Sequence, residues 1–405
     1  MRSAAFVLLA AASASVTAAP ASAATREIAL GVESLQFRTG ATALNRDDVF
    51  GLGDGAGLLR GTVSWRETRG PIKAVLRGLV ERSLGFAEDD TELVAREAYL
   101  QVAGVAARLR LGKQRVAWGS GFAWNPTIRL EPPKNALNTS LEQEGVWALR
   151  GEWTLAANVT ATLVGARVET QPGDRAVSES IPARYGAAAR LAVLIEDVDV
   201  ALVGSVQEER DGLVGLDLAR SLGGRVTAHL EAALYGGSEM PPARTGVFWR
   251  VVAGLLYTRG EEAFALEYFH NREGYDDRQR AEWLGALDAA YTASRDVTAP
   301  PALRERAFAS YVLATNVPDA GLGLSRDYIH ASWTRSHVAG EWGLSLRGVA
   351  SLTDGGVALT PGVSYAPTGR VTMSADGLLP LGPAGSEYRV SPVRGGVITR
   401  VKVHF

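Results

Sequence analysis

The chain has no cysteine among its 405 residues, which excludes thiol catalysis, thiolate metal sites and a disulfide framework. Histidine is sparse: His229, His270, His330, His337 and His404 show no metal-ligand spacing, so neither a metal nor any other cofactor is expected. Neither sign of charge dominates. With 42 basic and 44 acidic residues the formal net charge is -2, which gives no electrostatic footprint for nucleic acid. Long apolar runs are missing as well. Hydrophobic residues make up 46% of the chain but are scattered among 45 glycines and 21% charged residues, at a mean hydropathy of +0.02, so a bundle of transmembrane helices is excluded. Enzyme motifs are poor. Gly51-Leu52-Gly53-Asp54-Gly55-Ala56 approaches a dinucleotide fingerprint, but a strand pattern follows it and no helix N-terminus is available for phosphate. Gly119-Ser120-Gly121 lacks the spacing of a nucleophile elbow, and no enzymatic activity is expected.

What is present begins with a targeting pattern. Met1-Arg2-Ser3 gives a short cationic start, Ala4 to Ala12 an apolar stretch, and Ala21-Ser22-Ala23 a small-residue cleavage site, the layout of a signal peptide spanning residues 1–23. From Glu27 onward, segments of about ten residues alternate apolar and polar between clusters of Gly, Asp, Asn or Pro, which is the strand period. Arg60, Thr62, Ser64 and Arg66 interleave with Leu59, Val63 and Trp65, and near the end Ile398, Arg400, Lys402 and His404 interleave with Val397, Val401, Val403 and Phe405.

The spacing of the turns separates a membrane barrel from a soluble sandwich. Tight connections at Arg69-Gly70-Pro71, Ala103-Gly104, Leu155-Ala156, Glu196-Asp197, Leu222-Gly223, Arg259-Gly260, Ala339-Gly340 and Thr368-Gly369 alternate with longer ones. The longer set covers Gly40 to Ala56, Trp118 to Gly145, Glu169 to Pro182, Gly237 to Thr245, Asn271 to Ser325 and Pro380 to Val393. Short turns at one rim and long loops at the other are expected of a closed antiparallel transmembrane β-barrel. The pattern predicts an all-β barrel over residues 24–405 with about 18 strands, sixteen being the other count it admits, and long loops at 118–145 and 271–325. Helical pieces are expected around Gln279 to Tyr291 and Pro301 to Ala314, in a loop that folds into the channel as a gate.

Phe405 lies in phase with Val401 and Val403, on the apolar face of an alternating terminal strand. In this the chain resembles Gram-negative outer-membrane β-barrels, whose last strand ends in Phe and is read by the barrel-assembly machinery; the resemblance implies integral placement in the outer membrane. Gly112-Lys113-Gln114-Arg115-Val116-Ala117-Trp118-Gly119 resembles the strand-to-loop segment of porin-like barrels of the alginate-export type. That resemblance implies a channel passing an acidic carbohydrate outward with a separate periplasmic polysaccharide-export partner.

Turning the polar set of each strand inward lines the pore with Arg60, Arg66, Arg77, Arg108, Arg110, Arg150, Arg190, Arg225, Arg250, Arg347, Arg400 and Lys402. With Lys73 and Arg184 counted in the same inward set, and against the luminal acids Glu81, Glu97, Glu152, Asp199, Asp217, Glu231, Glu267 and Asp376, this reading gives the lumen about six surplus positive charges. A basic lining favours anions; the same residues could instead pair across the sheet and brace it. Trp118, Phe122 and Trp124 are candidates for stacking on sugar rings, whereas Trp65, Trp153, Trp249 and Trp333 suit an interfacial girdle. Export of a polysaccharide is the leading expectation. The alternatives are a diffusion porin for small anions, or, behind it, an outer-membrane hydrolase or structural surface barrel.

Overall fold

In a computed structural model, the described residues are 25–52, 55–84, 91–131, 134–137, 144–168, 184–208, 210–237, 245–315 and 323–405. The predicted signal peptide and the whole connection over 169–182 lie outside them. Eighteen strands follow one another in a single sheet: β1 (Thr25–Thr39), β2 (Gly55–Arg69), β3 (Ile72–Leu84), β4 (Thr91–Ala103), β5 (Ala107–Gln114), β6 (Val146–Ala156), β7 (Val159–Val168), β8 (Arg184–Ile195), β9 (Val198–Gln207), β10 (Arg210–Leu222), β11 (Val226–Gly236), β12 (Val247–Arg259), β13 (Glu262–Asn271), β14 (Asp327–Ala339), β15 (Trp342–Ser351), β16 (Val357–Thr368), β17 (Val371–Leu381) and β18 (Val393–His404). Each strand pairs antiparallel with the next, and β1 pairs with both β2 and β18, so the sheet closes on itself. Closure satisfies the backbone of extended chain in lipid, where an open edge would leave N–H and C=O groups without partners. The seam runs from Ala29 opposite His404 to Thr39 opposite Val393, with an irregularity between Arg38 and Thr39, and the Phe405 N–H donates to the Ile28 carbonyl, 2.9 Å, beyond its other end.

The eight tight turns expected from the sequence all fall on one rim, together with both ends of the barrel sequence. The six longer connections fall on the other. The outer rim also carries three connections that the sequence did not mark, at 85–90, 208–209 and 352–356. The pleat sorts side chains by their period of two. Leu59, Val63, Leu76, Val80, Leu109, Leu149, Leu191, Leu202, Leu346, Val397 and Val401 are exposed on the outer surface, making the apolar band that a membrane barrel turns to lipid. Trp153, Trp249 and Trp342 are also exposed; Trp342 packs against Tyr365 at 4.7 Å between ring centroids, a pairing suited to the headgroup level.

The long connection after β13 forms two helices, α1 (Asp277–Arg295) and α2 (Pro301–Thr315). Asp276 starts α1 with a capping box: its side chain accepts from the Gln279 N–H while the Gln279 side chain accepts from the Asp276 N–H. Trp283, Leu287, Tyr291 and Tyr311 from the hairpin form a buried cluster with Leu44 from the β1–β2 connection and with Val390 in the one-turn helix α3 (Glu387–Val390) before β18. The hairpin therefore leaves the wall at β13 and β14 but packs on connections at β17, β18, β1 and β2, covering part of the outer mouth. Its burial is against other outer connections.

Candidate lumen and its inward-folded loop

The segment that enters the lumen lies between β5 and β6, in the described part of 115–145. Its start is fixed by Gln114, fully buried, whose side-chain amide donates to the Ala148 carbonyl at 2.8 Å, and by Glu131, which accepts from the Val116 N–H. From there the chain crosses to the opposite wall, where the loop's own N–H groups meet carboxylates. The Gly121 N–H donates to Glu231 at 2.7 Å, and the N–H groups of Phe122 and Ala123 both donate to Glu267, the latter at 2.7 Å. The Thr127 hydroxyl donates to the second Glu231 oxygen at 3.0 Å, the Asn125 amide to the first at 3.2 Å, and the Ser120 hydroxyl to Asp217. Glu231 and Glu267 are fully buried, and such carboxylates are tolerable only when this densely bonded.

Small residues make the approach possible. A Cβ at Gly121 would collide with the Trp124 carbonyl, and Gly119 has φ +88 with the Glu231 carboxylate where its side chain would stand. On the wall, His229, Gly254 and Glu267 lie in register on β11, β12 and β13; the missing side chain at Gly254 lets the His229 ring reach Glu267 at 2.8 Å across a whole strand. Lys134, further along the loop, donates to the Gly121 carbonyl. Burial pushes its ammonium below the ordinary lysine range, opposed by the nearby Glu231 and Glu267 carboxylates. Burial likewise raises Glu131, with Arg115 acting in the other direction.

The loop's aromatic residues serve this docking. Trp124 is stacked on Phe269 with centroids 4.9 Å apart and is 6% exposed, in a buried cluster with Val252, Tyr328 and Val349. Trp118, also 6% exposed, is packed with Val116, Leu130 and Val164. Phe122 is half-buried, edge-on to the His229 ring at 5.0 Å. The expectation that Trp118, Phe122 and Trp124 form a sugar-stacking track is therefore corrected: the two indoles spend their faces on the protein's own wall.

Eleven of the twelve basic residues lie on strands in inward phase, opposite to the exposed apolar positions of those strands, and Arg225 lies in the turn before β11. They fall into different settings. Around β15 to β3 they form a continuous chain of alternating charge. Arg347 pairs with Asp376 at 2.8 Å, Asp376 with Arg400, Arg400 with Glu33, Glu33 with Arg60 at 2.9 Å, and Arg60 with Glu81. Asp376 reaches Arg347 two strands away because Gly362 on the strand between leaves the space open. Arg77 pairs with Glu97 at 3.2 Å, Arg66 with Glu27 at 2.8 Å, and Arg250, buried, with Glu273 at 2.8 Å beneath the Tyr235 ring.

The setting on β3 to β6 differs. Arg110 and Arg150 stand directly opposite each other in the β5–β6 register, an arrangement that opposes pairing of those strands by itself. Arg150 and Arg108 share one carboxylate, Glu152, at 2.9 Å each, and Arg110 donates instead to the neutral Gln101 amide oxygen at 2.9 Å, its guanidinium lying 4.6 Å from the Tyr99 ring centroid. Lys73 lies opposite Gln101, so the row Lys73, Gln101, Arg110, Arg150 runs across four strands without a carboxylate in it. Arg190 is half-buried opposite Thr162, and Arg225 and Lys402 are exposed at the turn rim. The expected general surplus of luminal positive charge is corrected. Glu27, Glu33 and Glu92, absent from the sequence reckoning, also face inward and offset about half of it; β3 to β6 carry Lys73, Arg77, Arg108, Arg110 and Arg150 against Glu81, Glu92, Glu97 and Glu152, so what sets this arc apart is its carboxylate-free row and not its net charge.

No family model matches the chain, and no curated protein matches it in sequence. Solved structures do match in shape. The chain is similar to the outer membrane protein OprD from Pseudomonas aeruginosa, at TM-score 0.53 and 10% identity over 94% of this chain and 93% of that one. It is similar to OccK5 (OpdH) of the same organism, at 0.56 and 11% over 94% and 97%, and to OccAB3 of Acinetobacter baumannii, at 0.54 and 9% over 94% and 99%. At such identities the likeness is one of fold, and with the apolar exterior it describes an integral outer-membrane β-barrel with the architecture of a porin-like channel.

Proposed function

We propose that the protein is a diffusion channel for small hydrophilic anions. The observation that carries this reading is the carboxylate-free row Lys73, Gln101, Arg110, Arg150, in a lumen whose opposite side is occupied by the docked 115–145 loop. A narrowed water column beside low-dielectric walls feels these charges strongly, because the field is focused rather than screened. The acidic groups on the far side do not cancel the effect, since Glu231 and Glu267 are buried under the loop and turned to its N–H groups. Export of a polysaccharide, the leading expectation from the sequence, is set aside: the loop blocks part of the bore and the indoles that would have formed a sugar track are packed into the wall.

Purified protein in planar bilayers under a potassium chloride gradient tests the reading. The reversal potential should have the sign of chloride selectivity, and potassium selectivity would defeat the proposal.

A further inference from the structure

We infer that the lipid-facing wall at the outer ends of β6 to β8 holds a phosphorylated glycolipid of the outer leaflet, in a site independent of what passes through the lumen. Its head end is a row of three side chains in register. Trp147 lies opposite Arg167, and Arg167 lies opposite Tyr185. All three are exposed and share the outward phase of Leu149 and Leu163, so the guanidinium leaves the wall on the membrane side and not into the lumen. Arg167 is the last residue but one of β7, which sets the row at the rim of the longer connections, the outer one.

A cation on the lipid face is unfavourable in hydrocarbon and becomes tolerable at the headgroup level, where an anion meets it. Phosphate is the anion of that level, and a guanidinium holds it in fork geometry. The exposed rings of Trp147 and Tyr185 stand on either side of this fork, at the depth where amphipathic rings belong, and their flat faces suit the apolar C–H face of a hexose. Below the row the wall is bare of bulk. Gly165 lies opposite Ala187, and Ala189 opposite Gly204, successively closer to mid-membrane. A Cβ added at Gly165 or Gly204 would meet no atom within 4 Å. These four positions make a shallow depression bounded by exposed Leu149 and Val206, and acyl chains descending from a headgroup at Arg167 would fill it. A phosphate, a sugar ring and hydrocarbon chains are thus selected together. A second copy of the chain is the poorer occupant. An isologous contact would bring Arg167 against Arg167, and Glu208, beyond Tyr185, is turned back to accept from the Tyr185 N–H at 2.9 Å.

Native mass spectrometry of the full chain, refolded in detergent and titrated with diphosphorylated lipid A, tests the site. One lipid A per chain is expected, in preference to its dephosphorylated form and to phosphatidylglycerol. Arg167→Gln should weaken binding about tenfold or more, as loss of a charge-assisted fork requires. Gly165→Ile, which keeps every charge and fills the depression, should weaken it several-fold. Retention of the folded, heat-modifiable band on gels shows that each variant still forms its barrel. Absence of bound lipid A on the wild type, equal binding of the dephosphorylated form or of phosphatidylglycerol, or indifference to either substitution would overturn the proposal. A dimer that Gly165→Ile dissociates and lipid A leaves intact would assign the face to a second copy and overturn it as well.

Discussion

The two sides of the lumen use the same kinds of residue to opposite ends. On β10 to β13 the carboxylates of Asp217, Glu231 and Glu267 accept from a loop, and what they hold in place is backbone. From β15 round to β3 the carboxylates of Asp376, Glu33 and Glu81 accept from arginines of the wall itself, and what they hold is the barrel's cross-section. Farther round, the row Lys73, Gln101, Arg110 and Arg150 across β3 to β6 holds no carboxylate, and its cations face the passage. A luminal charge therefore says little until its partner is known: acid against N–H docks a loop, acid against arginine braces, and arginine without acid is free to act on a solute.

The contrast can be broken most forcefully from the docking side. Glu231→Ala combined with Glu267→Ala removes the acceptors of Gly121, Phe122, Ala123, Asn125 and Thr127. At about 1.5–3 kcal/mol per hydrogen bond to a charge, the loop should leave the wall. Single-channel conductance should rise several-fold; an unchanged current would mean that the loop does not occupy the bore. Gly121→Val sharpens the point, since it keeps every charge yet forces a side chain into the Trp124 carbonyl. It should raise conductance in the same direction while leaving ion selectivity near that of the wild type.

On the cationic side, Arg110→Gln with Arg150→Gln should move the reversal potential toward zero with a smaller change in conductance, and should relieve the like-charge pairing of β5 and β6. In the bracing arc, Asp376→Asn weakens the pairings of both Arg347 and Arg400 and should lower stability by about 1–3 kcal/mol, read as a lower temperature for loss of the heat-modifiable band, with selectivity little changed. The smallest effect concerns Glu131. Its carboxyl is raised by burial, so in the docked state the proton is held more tightly than in the unfolded chain, and docking is favoured as pH falls toward the raised value and disfavoured above it. Glu131→Gln should therefore reduce the pH dependence of the unfolding temperature above the ordinary carboxylate range, while the Arg115 contact limits any gain at neutral pH.

The barrel was legible because its causes are local. Alternation, tight turns and the phase of Phe405 are properties of neighbouring residues, and they placed the strands and the rims. The short outer connection at 208–209 escaped notice because two residues without a Gly or Pro cluster interrupt the pattern too little. What could not be read was which charges meet. Glu33 lies 27 residues from Arg60 and 367 from Arg400, and nothing along the chain marks that closure of β1 on β18 brings the three together. The same holds for the loop. Ser120 and Gly121 meet Asp217 and Glu231, about a hundred residues away, and nothing in the segment itself names those partners. The aromatic content of 271–325 suggested burial correctly, and only the assembled mouth shows that the burial is against other loops.

The absence of cysteine allows the central claim, that the 115–145 loop covers the acidic wall and leaves the cationic one open to water, to be tested without background. Arg110→Cys and Thr127→Cys are each exposed to an anionic, membrane-impermeant thiol reagent while current through the reconstituted protein is recorded. The account predicts rapid modification with a change in current at position 110, and slow or no modification at position 127, a loop residue buried against the Glu231 wall. Equal reactivity at the two positions, or faster reaction at 127, would contradict it.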